Sequence, residues 1–138
     1  MIKNTSISWP STKENVNAII KKYNFVVLSV SPSVEIVDEA LKFKLIQEED
    51  LKKEYIKLTK EEIEERIKFI NYVRFSYNKL TTDERKIIYW TFFDKENNYD
   101  DRFIANNLGF SLGYYYIKKK DAIIRFAFSL GVESIDDK

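Results

Sequence analysis

The stretch Asn98–Phe128, NYDDRFIANNLGFSLGYYYIKKKDAIIRFAF, decides how the rest of the chain is organised. It reads as a short helix, a glycine turn and a second helix carrying three consecutive lysines. Ile104, Ala105, Leu108, Gly109 and Phe110 have helix-turn-helix spacing. Ala105 is small enough for the second helix to cross close by. Gly109 can take the left-handed backbone that ends a helix sharply. Asp100 is the expected N-cap of the first helix, and Asp101 suits its positive end. Ser111 caps the second helix, which is expected to run to about Leu130 and stop at Gly131.

The motif asks for five apolar packing positions, and Ile104, Leu108, Phe110 and Tyr115 supply four. The fifth falls on Lys118. Either the helix rotates so that Ile117 or Tyr114 fills the gap, or Lys118 buries its stem and keeps its ammonium in water. The outward positions are then Leu112, Gly113, Tyr116, Ile117 and Lys120. None is Arg, Asn or Gln, the side chains suited to bidentate base readout. Tyr hydroxyls can donate to bases or phosphates, and Leu or Ile can touch a thymine methyl group.

Working back from this stretch, Asp94–Tyr99 reads as a polar loop. Thr81 with Glu84 starts a helix whose Ile87, Ile88, Tyr89, Trp90, Phe92 and Phe93 are apolar nearly all round, so it is expected to be central. Thr59 with Glu62 opens another helix, with a stripe of Ile63, Ile67, Ile70, Val73 and Tyr77 running to Lys79. Ser31-Pro32 is a further start signal, and Val34, Val37, Leu41 and Leu45 mark one helical face. That segment is one long helix, or two with a break near residues 47–50, with Leu51, Tyr55, Ile56 and Leu58 resuming the pattern. Ser11 with Glu14 predicts the start of the first helix, carrying Val16, Ile19, Ile20 and Tyr23. Phe25–Val30 is β-branched, but no partner strand is apparent, so it reads as the buried end of that helix. Residues 1–10 and the end VESIDDK read as polar, frayed tails.

Composition narrows the function. The 138 residues are 44% hydrophobic and 15% aromatic, enough to bury a core. Three Gly and two Pro favour helices over a β-sandwich. No apolar run approaches the roughly 18 residues of a membrane span. No secretory signal is visible and there is no Cys, which fits the cytoplasm. With no His, no Cys and no glycine-rich phosphate loop, the chain reads as no enzyme, with no cofactor and no metal. Glu61, Glu62, Glu64 and Glu65 suit the start of a helix better than a metal site. Asp94, Glu96, Asp100 and Asp101 lack the calcium-loop pattern. The net charge is only +1, and neither residues 1–79 nor 80–138 are basic as a set, so nucleic-acid contact must be local.

The run LTTDERKIIYWTFFDKENNYDDRFIANNLGFSLGYYYIKKKDAIIRFA resembles the C-terminal half of ArpU-type regulators of phage and prophage late genes, and behind them sigma-factor region 4. The matching pieces are Leu80-Thr81, Glu84-Arg85, Phe92-Phe93, Asp101-Arg102, Ile104-Ala105, Leu108-Gly109 and Ser111. Tyr114-Tyr115, Lys118-Lys119-Lys120, Ala122 and Phe126-Ala127 follow. Phe103 stands where such motifs often carry Glu, Gly113 lowers helix propensity, and Asp121 interrupts the basic run. The resemblance implies a late-gene transcriptional activator acting at a promoter with host RNA polymerase. The expectation is an all-α protein: a helical N-terminal region, residues 1–79, then a sigma-like helix-turn-helix three-helix unit, residues 80–138. The N-terminal region would dimerise or hold polymerase. Double-stranded DNA would be met by Arg102, Lys118, Lys119 and Lys120 at phosphates, with Ser111, Leu112, Gly113, Tyr114 and Tyr116 at or near the groove. The alternatives are a helical adaptor that binds polymerase or a phage protein without reading bases, and a small-terminase-like packaging protein.

Overall fold

Two glycines and four short capping contacts set the punctuation of this chain. The computed structural model describes residues 5–30, 40–51, 57–94 and 96–137. In order they form strand β1 (Thr5–Ile7), helix α1 (Trp9–Val26), helix α2 (Lys60–Asn78), helix α3 (Thr82–Ile88), helix α4 (Asp101–Leu108), helix α5 (Leu112–Leu130) and strand β2 (Ile135–Asp137). The fold is all-α with one minor strand pair. No helix among the described residues is long and apolar enough to cross a membrane.

The expected caps on α2 to α5 are present. Thr59 and Glu62 form a reciprocal capping box on α2, and Thr81 and Glu84 form one on α3. Asp100 accepts from the Phe103 N–H at 2.8 Å, and Ser111 from the Tyr114 N–H at 3.2 Å. Gly109 and Gly131 both take the left-handed conformation, with φ of 74° and 75°. The next residues, Phe110 and Val132, each donate an N–H back into the last turn and tuck their side chains against the core.

The core is continuous across Leu80, joining Val16, Ile20 and Tyr23 of α1 to Ile70, Val73 and Tyr77 of α2 and Ile123 and Phe126 of α5. Helix α5, not α3, is the central element, because it packs against each of the other four helices. Ala122, Ile123, Phe126, Ala127 and Leu130 are its buried side. Helix α3 continues into a wider π turn, Tyr89–Phe93, closed by the Asp94 N–H on the Tyr89 carbonyl. All four aromatics of this turn are only half-buried. Its last residue, Phe93, meets Tyr23, Phe43, Tyr77 and Phe126 edge-on.

Four further expectations need correction. First, α1 starts at Trp9, so Ser11 lies inside it; Pro10 suits a first turn that needs no N–H from it. Second, the described parts of both tails are paired, not frayed. Thr5–Ile7 pairs antiparallel with Ile135–Asp137, and Thr12 exchanges hydrogen bonds with the Ser134 backbone. Third, the Phe25–Val30 run is not a buried helix end. Phe25 and Leu28 are largely exposed, residues 27–29 form a 3-10 turn, and Val30 bridges Leu51 as a strand would. Fourth, the helical face through Leu41 and Leu45 does not exist. Leu41 has φ of 60°, residues 42–47 are not helical, and Phe43 and Ile46 are the buried pair. Residues 31–39, with Pro32, Val34 and Val37, and residues 52–56 lie outside the described residues.

The reason for the fourth correction is a stripe on α2. Asn78 accepts the Phe43 N–H at 2.9 Å and donates to the Phe43 carbonyl at 2.8 Å. Two turns earlier Asn71 does the same for Ile46, at 2.7 and 2.9 Å. Between them Arg74, fully buried, donates to the Lys44 carbonyl at 2.7 Å and to the Tyr23 hydroxyl at 3.0 Å. The side chains of one helix thus satisfy backbone groups that a helix would have satisfied internally. Replacing Asn78 by Ala strands both Phe43 groups. It should cost about 1–3 kcal/mol in urea denaturation, whereas Asn97→Ala, in an exposed turn, should cost little.

Candidate nucleic-acid interface

Helices α4 and α5 meet across a three-residue turn, Gly109 to Ser111, whose sharpness comes from Gly109. Ile104 and Ala105 of α4 and Tyr115 of α5 are buried, and Leu108 and Phe110 are half-buried. Four of the five motif positions therefore face inward. At the fifth, Lys118 is half-buried, while Tyr114 and Ile117 are 48% and 62% exposed. Neither rotates in to replace it.

The residues expected to point outward form a stripe on α5. Gly113, Tyr116, Ile117 and Lys120 are exposed, and Leu112 is half-buried. Ser111, Tyr114 and Arg102 are also exposed. Lys119 is different. Its ammonium bonds the Asp101 carboxylate at 2.8 Å, and its side chain is only 23% exposed. The Tyr115 hydroxyl donates to the same Asp101 oxygen at 2.9 Å. Residues one turn apart on α5 thus grip the first turn of α4 and set the angle between the two helices. Two other cations are also engaged. Lys120 lies over the Trp9 ring at 5.3 Å, and Arg125 pairs with Glu84 at 2.9 Å. The lysine run therefore divides: Lys118 and Lys120 face the surface in part or whole, and Lys119 holds the motif together.

Sequence reasoning placed Asp101 near the helix dipole but missed that it is the anchor of the turn. The signal available was Tyr115 and Lys119 spaced four apart, which share a helix side. Their common partner depends on how α5 crosses α4. Burial pushes the Tyr115 phenol above its ordinary value, and the Asp101 carboxylate adds to this. Burial alone would raise Asp101. The bonds from Lys119 and Tyr115, with the charges of Lys119 and Lys13, outweigh it and hold the carboxyl below its usual range.

The acidic residues form no such constellation. Glu62 serves the α2 cap, where the Thr59 N–H lowers its carboxyl, and Glu61, Glu64 and Glu65 point to solvent. Asp94 bonds Asn97 within the loop. Beside Phe25 and Phe75, exposed elsewhere, the exposed aromatics include Tyr114, Tyr116 and Phe128 on α5, and Phe103, stacked on the half-buried Tyr99 with ring centroids 4.1 Å apart. No protein-family model, no curated protein and no solved structure matches this chain.

A carboxylate held below its ordinary value stabilises the fold above the unfolded pKa of about 3.9 and loses that contribution as pH falls through the lower folded value. Wild type should therefore lose stability more steeply than Asp101→Asn as pH falls below about 4. At pH 7 that variant should be less stable by about 1–2 kcal/mol. Urea denaturation at pH 7 and pH 3 measures both; equal pH dependence in the two proteins would remove the anchor role from Asp101.

Proposed function

We propose that this protein is a DNA-binding transcriptional activator of phage or prophage late genes, acting at a promoter with host RNA polymerase. The observation that carries the DNA reading is the exposed stripe Gly113, Tyr116, Ile117 and Lys120 on a helix held at a sharp turn by Gly109. A rigid helix presented this way fits a major groove. The late-gene and polymerase parts rest on the resemblance of residues 80–127 to ArpU-type regulators and sigma-factor region 4. Arg102, Lys118 and Lys120 are the proposed phosphate contacts. Ser111, Leu112, Gly113, Tyr114 and Tyr116 are the proposed groove residues. Lys119 leaves the phosphate set and becomes a positioning residue.

One observation favours a second reading, an adaptor that holds polymerase or a phage protein and reads no bases. Lys119 and Arg125 are spent on internal ion pairs, which leaves Lys118 and Lys120 as the remaining cations of α5 on a nearly neutral chain. Few phosphate contacts mean modest affinity, so a second copy or polymerase would have to supply the remainder.

Gel shifts on DNA flanking the protein's own gene, at several salt concentrations, test the proposal. Arg102→Ala with Lys120→Ala should weaken binding to all sequences and shallow the log–log salt slope by about 1.8. Lys119→Ala should lower thermal stability and leave that slope unchanged. Co-purification with polymerase and no footprint on any duplex would select the adaptor instead.

A further inference from the structure

The chain has three glycines, and two have a reason inside the fold. Gly109 and Gly131 each end a helix with a left-handed backbone. Gly113 does not. It lies in the first turn of α5 with no positive φ, it is exposed, and a Cβ added there meets nothing within 4 Å. Neither backbone conformation nor internal packing asks for glycine, and helix propensity argues against it. What glycine supplies at such a place is closeness: another molecule can approach the helix backbone without meeting a side chain.

The neighbours of this gap suggest what approaches. Tyr116 and Ile117, one turn further along the same side, are 50% and 62% exposed. Lys120 follows one turn later and is exposed, its ammonium over Trp9. The face is thus a bare backbone patch walled by an aliphatic side chain and a phenol, with a cation beyond it. The cation favours a polyanion over an apolar protein surface. The walls offer no amide or guanidinium for a bidentate base contact, but an isoleucine fits a methyl group.

We propose that Gly113 and Ile117 form a close-approach slot that takes the 5-methyl group of a thymine in the major groove. The inference rests on the DNA-binding reading and adds what is read and by which residues. Gly113 lets the helix sit deep enough, Ile117 covers the methyl group, and Lys120 meets the neighbouring phosphate.

The test uses the full chain and a duplex site selected from a random pool. Affinities are measured by anisotropy for wild type, Gly113→Ala and Ile117→Ala. Each is measured on the selected site and on copies with single thymines replaced by uracil, which removes only the methyl group. Gly113→Ala should raise Tm by up to about 3 °C yet weaken site binding at least about tenfold with the salt slope unchanged. Wild type should lose about fourfold on one uracil-substituted site, and Ile117→Ala should lose nothing further on that site. Gly113→Ala binding as tightly as wild type, or indifference to every uracil substitution, overturns the slot while leaving DNA binding standing. Loss of polymerase co-purification by Gly113→Ala with DNA affinity intact also overturns it, because the face would then dock protein. Wild type selecting no duplex at all removes the DNA reading and the slot together.

Discussion

Helix α5 must be core and surface at once, and the rest of the fold answers to that constraint. Its second half, Ala122–Leu130, buries one side against the other helices, with Phe126 and Ala127 fully buried and Arg125 and Phe128 left exposed. Its first half keeps Tyr115 buried but exposes Tyr114, Tyr116 and Ile117. A helix anchored over more than two turns cannot tilt independently at its free end, so burial of the second half aims the first. The Asp101 contacts to Tyr115 and Lys119 sit where the helix leaves the core and tie it to α4 there. Arg125 on Glu84 makes a second tie, from α5 to the first turn of α3.

The opposite side of the molecule solves a different problem. The segment around Phe43–Ile46 is irregular yet partly buried, and buried backbone groups need partners. Asn71, Arg74 and Asn78 provide them from one stripe of α2. The spacing is physical: seven helical residues rise about 10.5 Å, close to the span of three extended residues. Phe43 is thereby placed among Tyr77, Phe93 and Tyr23, meeting Phe93 edge-on and the two tyrosines at a tilt. Arg74 lies over the Phe43 ring as well. The polar stripe and the aromatic cluster therefore depend on each other.

How much of this was legible varied with the range of the interaction. The caps at Thr59, Thr81, Asp100 and Ser111, and the stops at Gly109 and Gly131, were all visible in the order of residues. So was the outward stripe of Gly113, Tyr116, Ile117 and Lys120, because helical period alone puts them on one side. The Leu41–Leu45 face was misread because its periodicity was genuine but outweighed. Two asparagines and an arginine, 25–35 residues away, gave an irregular backbone better partners. The termini were misread for the same reason. The partner of Thr5–Ile7 lies at the other end of the chain, so no local pattern reveals the pairing. Lys119 was grouped with its neighbours because three adjacent lysines look alike in a sequence. The fold separates them by direction.

Interactions closing within about four residues follow from the order of amino acids, since the backbone itself brings those partners together. Helix starts, helix stops and the sidedness of α5 belong to this class. The tasks of the charged and polar side chains do not. Whether Lys119 meets solvent or Asp101, whether Arg125 is free or held by Glu84, and whether Phe43 lies in a helix or against Asn78 all turn on partners 18 to 41 positions apart. Packing had to bring those partners together, and it did so through α5, the helix that touches all the others.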